Sequence, residues 1–259
     1  MKISLIQFAP ERKELEKNLR RMEEYLAEVP KDTEVILLPE AWMGSQVLTE
    51  EKYKELVFQL YKRLPQEGPL LIPGAQYVNM GSKVYSLGMA LGGKLKEPLY
   101  YPKIFPSQAI GERAYVEPGN RLLVIEHQGS GIGILVCVDL FYPELARNLA
   151  LRGALLILNP ANIPEERMPL WHSLGLTRAC ENTVFLAMAN NTYTYYPDGR
   201  EVKGESFVAY PDGYTLLTCG KEPGVYTLDL DLSLIPRVRQ RWPYLEDIRK
   251  RFTDERGPF

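Results

Sequence analysis

Three side chains, far apart along the chain, are of the types that can break an acyl bond: the thiol of Cys137, the carboxylate of Glu40 and the ammonium of Lys103. A protonated thiol is a weak nucleophile and needs a base within hydrogen-bond reach. A carboxylate can take that proton and later activate the water that releases the product. An ammonium favours the thiolate and can hydrogen-bond the oxyanion of a tetrahedral intermediate. The backbone N–H of Val138 is a candidate second oxyanion donor.

Each residue alone has a plainer reading. Free cysteine is among the most buried residue types and ordinarily packs, and a glutamate at a strand end ordinarily meets solvent. Their settings set these three apart. Cys137 closes the apolar run from Gly131, and Glu40 closes Val35-Ile36-Leu37-Leu38-Pro39. Lys103 stands among Tyr101, Pro102, Ile104 and Phe105, whereas solvated lysines keep polar company. In open α/β architectures the C-terminal edge of such buried strands is where ligands bind. His127, in the polar turn Glu126-His127-Gln128-Gly129, reads as solvent-facing. His172 reads as a local hydrogen-bonding residue at a helix start, so a cysteine–histidine dyad is the weaker scheme.

The elements that must position these groups follow from periodicity. Ile3–Phe8 reads as a buried strand; Leu15, Leu19, Met22 and Leu26 recur at helical spacing. Val35–Glu40 and Leu70–Gln76 read as strands, with a charged helix around Glu50–Leu64 between them. Tyr85–Gly93 and Leu95–Tyr101 read as strands, and Leu122–Glu126 with Ile132–Val138 as a hairpin. Pro143–Arg152 and Trp171–Glu181 read as helices. Ala154–Leu158, Thr183–Ala189, Ser206–Tyr210 and Val225–Leu230 read as strands. Alternating strands and helices without a Ser/Pro/Gly linker predict one α/β sandwich domain over residues 1–259. Residues 237–259 lack clear periodicity and read as a C-terminal arm that packs on a partner subunit. Asp139 and Glu144 read as fixing the turn and helix start after the cysteine.

Composition narrows the function classes. The formal net charge of −2 gives no electrostatic reason for a nucleic-acid or anionic-membrane partner. No stretch approaches the roughly 20 apolar residues of a membrane span, and the first apolar run is too short for a secretion signal. Three scattered cysteines suit a reducing cytoplasm; Cys180 and Cys219 read as packing residues. With two histidines and no cluster at ligand spacing, neither a metal nor another cofactor is expected.

Taken in order, the three segments resemble the nitrilase, or carbon–nitrogen hydrolase, superfamily. The matching motifs are Leu38-Pro39-Glu40, then Lys103 with Gly111-Glu112-Arg113 and Pro118-Gly119, then Cys137-Val138-Asp139 with Pro143-Glu144 and Arg147. Leu158-Asn159-Pro160-Ala161-Asn162, Arg178-Ala179-Cys180-Glu181-Asn182 and Gly204-Glu205-Ser206 extend the likeness over about residues 3–232. The resemblance implies a four-layer α-β-β-α sandwich that pairs into a longer α-β-β-α–α-β-β-α homodimer or larger homo-oligomers. It assigns catalysis to Glu40, Lys103 and Cys137, with Glu112 as a fourth member. It also implies hydrolysis of a non-peptide carbon–nitrogen bond in a small amide, with a nitrile or an N-carbamoyl amine as alternative substrates. A catalytically silent binding module of the same fold is the competing class, and retention of all four reactive groups argues against it. Where many members carry a histidine and an arginine near the pocket, this chain has Phe105 and Phe141. Candidate substrate contacts are Trp42, Phe141, Tyr142, Asn162 and Met168, with no arginine evidently awaiting a substrate carboxylate.

Overall fold

Neighbouring residues along the first strands are all buried, which only a sheet covered on both faces allows. In the computed structural model, which describes residues 1–65 and 68–252 of the 259, alternate residues go to different cores. Ile3, Leu5, Val35, Leu37, Leu70 and Ile72 enter one apolar cluster; Ile6, Phe8, Ile36, Leu38 and Leu71 enter another. The twofold period of the strand thus divides each short segment between an inter-sheet core and an outer layer.

In the first sheet Lys2–Gln7 pairs in parallel with Val35–Leu37, which pairs in parallel with Leu70–Ile72, while Gly224–Asp229 runs antiparallel at the other edge. Leu71 and Leu91 exchange backbone hydrogen bonds of 2.8 and 3.1 Å. They join this sheet to the ladder of Leu48–Thr49, Gln76–Met80, Lys83–Ala90 and Leu99–Pro102. The facing sheet has the strand order Leu216–Thr218, Phe207–Ala209, Phe185–Ala189, Ala154–Pro160, Ser130–Ile134 and Val124–His127. Ser130–Ile134, Ala154–Pro160 and Phe185–Ala189 are mutually parallel. The helices Leu15–Glu28 and Glu50–Tyr61 lay Leu19, Met22, Leu26, Tyr53, Leu56 and Leu60 on the outer face of the first sheet. The helices Pro143–Leu151 and Met168–Asn182 cover the second with Ala146, Leu149, Trp171 and Ala179. The result is the α-β-β-α sandwich.

Several expectations are corrected. Leu70–Gln76 is not one strand, because Pro73 and Gly74 turn the chain from one ladder into the next. Gly74 has φ +75°, and a Cβ there would lie 1.9 Å from the Pro39 carbonyl, so only glycine fits. His127 is buried rather than solvent-facing; its Nδ1 lies 3.2 Å from the Gly93 carbonyl. The expected arm is folded onto its own chain as the helices Leu234–Arg241 and Tyr244–Phe252. Ile235, Val238 and Leu245 are buried, and Arg239 Nε donates to Thr183 Oγ1 at 3.0 Å. Residues 253–259 of that arm lie outside the described residues. Among the described residues no helix is long and apolar enough to cross a membrane.

One contact in this frame tests how tightly the lysine-bearing strand is held. Gly88 pairs with Tyr101, and a Cβ at Gly88 would fall 2.0 Å from the Tyr101 ring. The ring is buried and its hydroxyl donates to the Gly74 carbonyl at 2.5 Å. Gly88→Ala is expected to destabilise the fold by about 1–3 kcal/mol through overpacking. A lowered urea midpoint would register this, and an unchanged midpoint would mean that the strand pair yields freely.

Candidate active site

The three reactive groups are delivered by three strand ends. Glu40 lies just past Val35–Leu37, and its N–H donates across to the Ala161 carbonyl of the second sheet at 3.1 Å. Lys103 directly follows Leu99–Pro102 and extends that ladder with a 2.8 Å bond from its N–H to the Ser86 carbonyl. Cys137 follows Ser130–Ile134 and opens the 3-10 turn Cys137–Phe141 at φ +50°. A left-handed conformation costs a non-glycine residue about 1–2 kcal/mol, so something must enforce it. Asn159, on the adjacent strand, donates through Nδ2 to the carbonyls of Leu135 at 2.6 Å and Cys137 at 3.2 Å. The Asp139 carboxylate accepts from the N–H groups of Ile104 at 2.9 Å, Phe105 at 2.8 Å and Val136 at 3.3 Å. Asp139 fixes the turn as expected, and it also ties that turn to the segment carrying Lys103.

The side chains meet. Lys103 is 0% exposed, with its Nζ 3.0 Å from Glu40 Oε1 and 2.8 Å from Glu112 Oε2. Glu112 is buried and also accepts from the Tyr77 hydroxyl at 2.8 Å and the Ser107 N–H at 2.6 Å. The Cys137 thiol lies against the Glu40 carboxylate, and the Asn162 N–H faces the same sulfur. Burial pushes the Glu40 carboxyl up; the Lys103 ammonium opposes this, and the Glu112 charge adds to it. Burial also pushes the Cys137 thiol well above its ordinary value, Glu40 raises it further, and Lys103 pulls it back only in part. Lys103 thus favours the thiolate, as expected, but burial and Glu40 outweigh it. The resting site holds a protonated thiol against a carboxylate made more basic by its surroundings. Burial drags Lys103 down, but Glu40, Cys137 and Glu112 together outweigh it and keep the ammonium charged. Burial pushes Asp139 up to about 7, against the three N–H groups that favour its charged form.

Cys137 and Val138 wall a cavity of about 610 Å³ together with Phe141 and Tyr142, while Asn162 lies with Glu40 in an adjoining hollow. Trp42 is corrected as a substrate contact: it is buried, its indole N–H donates to the Pro73 carbonyl at 2.8 Å, and it packs edge-on against Phe8. Met168 likewise belongs to the core beneath Asn190. His172 packs edge-on against Phe207, away from the thiol's cavity. Three arginines that the linear sequence gave no reason to group, Arg113, Arg167 and Arg200, line the cavity. Arg200 is paired with Asp198 at 2.8 Å, but among the described residues neither Arg113 nor Arg167 has a carboxylate partner. Only the fold brings these three together. Among the described residues no group of three histidine, cysteine or acidic side chains converges to hold a metal.

The family model for carbon–nitrogen hydrolases matches residues 2–240. The chain belongs to that family. A 2-oxoglutaramate amidase of Bacillus subtilis is 29% identical over 257 residues, covering 96% of this chain and 97% of that protein. A cysteine-to-alanine mutant of the Nesterenkonia AN1 amidase, a nitrilase superfamily protein, superposes with a TM-score of 0.78 at 26% identity, covering 96% of this chain and 94% of that one. A CN-hydrolase superfamily protein from Xanthomonas campestris shares the fold with a TM-score of 0.86 at 21% identity, covering 95% and 96% of the two chains.

Two outcomes follow for this carbon–nitrogen hydrolase. The base must be ionised to act, so kcat/KM should fall as pH drops through the raised Glu40 value, placing the acid limb above 4.5. A limb below that value would show that Glu40 is not the group titrating. Lys103→Met would leave two buried carboxylates facing one another without a cation and should cost about 3–5 kcal/mol of stability. Adding Glu112→Gln should restore part of the denaturant midpoint without restoring activity.

Proposed function

We propose that the chain is an amidase that hydrolyses small aliphatic amides through a cysteine thioester, with Glu40, Lys103 and Cys137 as its catalytic triad. The observation that carries this reading is the buried Lys103–Glu40 contact of 3.0 Å, with the Cys137 thiol on the same carboxylate and opening into a cavity. As Cys137 Sγ attacks the amide carbon, its proton passes to Glu40. The oxyanion is stabilised by Lys103 Nζ and the Val138 N–H. Glu40 then returns the proton to the nitrogen, the C–N bond breaks and the thioester remains. Water enters, gives a proton to Glu40 and attacks the thioester; the acid leaves and the thiol is reprotonated. Glu112 acts by keeping Lys103 charged and aimed.

The cavity beside the sulfur is aromatic, lined by Phe141, Tyr142, Trp171 and Tyr196. Arg113 and Arg167 line the same cavity, and among the described residues neither has a carboxylate partner. An acyl chain of a few carbons ending in a carboxylate would satisfy both, and the similarity to a 2-oxoglutaramate amidase supports the same class. The reading extends to a cytoplasmic homodimer, on the strength of the family resemblance and three unpaired cysteines.

An ammonia-release screen over neutral aliphatic amides, dicarboxylate monoamides, ureido compounds and nitriles tests the assignment. Dicarboxylate monoamides should be turned over best, and Arg167→Ala should raise their KM by about tenfold, the loss of one charge-assisted hydrogen bond. Cys137→Ala should abolish turnover and retain the wild-type unfolding midpoint. Ammonia release that survives Cys137→Ala would overturn the proposal.

A further inference from the structure

The catalytic cleft has a second lobe, which opens from Glu40 rather than from the thiol. It encloses about 170 Å³ between Ala41, Ser45, Tyr77, Tyr115, Tyr195 and Tyr196. Ile110 and Tyr196 wall both lobes and so form the divide between them. Tyr196 is anchored there by its hydroxyl, which donates to the Asn162 carbonyl. Asn162 is in turn held by Asn191, whose Nδ2 donates to Asn162 Oδ1 at 2.9 Å and to the Glu40 carbonyl at 2.7 Å.

Two features of this lobe exceed what the release of ammonia demands. Ammonia is the size of water, which occupies about 30 Å³ in the liquid, so the lobe holds several times the volume either needs. Its mouth is aromatic: Tyr115 and Tyr195 are 49% and 60% exposed, Tyr77 meets Tyr115 edge-on at 5.7 Å, and the Arg12 guanidinium lies 5.9 Å from the centre of the Tyr195 ring. Exposed rings gathered at one opening form a surface for an apolar or planar group.

The chemistry fixes which part of a substrate would lie there. The base that takes the thiol proton is the base that returns it to the departing nitrogen, so that nitrogen must leave beside Glu40. Any group on the nitrogen then extends into the lobe to which Glu40 opens, while the acyl group stays on Cys137 in the other. We infer that the second lobe is a leaving-group site, and that the enzyme cleaves secondary amides whose nitrogen carries an alkyl or arylalkyl group. This rests on the amidase reading above. The bond changes are those of the primary amide, with an amine leaving in place of ammonia: amide and water give acid and amine. Once the amine has gone, the lobe it vacates admits the hydrolytic water to the same carboxylate.

The test compares the primary, N-methyl and N-benzyl amides of one acid, with kcat/KM read from amine or ammonia release. The N-benzyl amide should be turned over by the wild type with a kcat/KM no more than about tenfold below that of the primary amide, within what one apolar pocket discriminates. Ser45 is exposed at the rim, so Ser45→Trp fills the mouth without entering the core. It should lower the N-benzyl to primary ratio at least about tenfold. Tyr195→Ala, which removes one wall, should raise the N-benzyl KM more than the primary one. Turnover of the primary amide with none of the N-benzyl amide would overturn the inference and leave the lobe as a water path. So would a ratio that neither substitution moves. Failure of every amide with the wild type would instead overturn the amidase reading itself.

Discussion

A fully charged ammonium with no exposure to water is the constraint around which this protein is arranged. Removing an ammonium-sized ion from water carries a penalty of several kcal/mol even after the protein relaxes, and it is tolerated only with close opposite charge. Lys103 meets that condition through two carboxylates, Glu40 and Glu112, within 3.0 Å. They come from separate segments, so the ion pair can form only when the first sheet and its attached ladder are both in place. Glu112 is itself saturated by Tyr77 and Ser107. Burial first, and then the Glu40 charge that Lys103 offsets only in part, explain why the neighbouring thiol keeps its proton.

The sandwich meets this constraint by symmetry of position. Glu40 and Cys137 each lie three residues past the end of a parallel strand, one strand in each sheet, and the facing edges bring them together. Backbone bonds stitch those edges. Glu40 donates to Ala161 at 3.1 Å, and Thr192 donates to Phe8 at 2.7 Å. Buried Gln7 does the same with its side chain, accepting from the N–H and hydroxyl of Ser206 and donating to the carbonyls of Gly220 and Glu222. These polar groups are buried and satisfied, so they specify one relative placement of the two sheets where an apolar contact would tolerate sliding. The position of Glu40 relative to Cys137 is thus a property of the sheet edges rather than of flexible loops.

This division also explains what the linear sequence disclosed. The reactive residues were legible because Glu40 and Cys137 each close an apolar run and Lys103 stands among aromatics and proline, and a charge or thiol at such a point is chemically conspicuous. The layer architecture was legible because Val35–Leu38 is apolar at even and odd positions alike, as is Ile3–Phe8 apart from Ser4 and Gln7. What could not be read were the contacts that need two segments at once. Asp139 showed its local role at the turn, whereas its bonds to Ile104 and Phe105 require the lysine segment to lie alongside. Trp42 follows a catalytic strand and so resembled a rim residue; the turn at Ala41, with φ +54°, directs it inward instead. His127 sits in a polar stretch, and only the packing of Gly93 against it removes it from solvent. The helices after residue 233 were hidden because their arginines outnumber the few apolar residues that dock them.

The protonated thiol bears on how the site uses its strain. A thiolate–ammonium pair would be reactive at rest, and burial here disfavours it. The sulfur is instead held by an elbow in a left-handed conformation, enforced by Asn159 and Asp139, and a backbone so held does not reorganise when the tetrahedral intermediate forms. In the proposed mechanism the thiol already lies against a strengthened base, so attack needs only a short transfer of its proton to Glu40. The charge that develops on the substrate oxygen then appears beside an ammonium whose cost of burial was met on folding. The site therefore favours the state in which negative charge moves from Glu40 toward the oxyanion, and it does so without stabilising a free thiolate that would react with any passing electrophile.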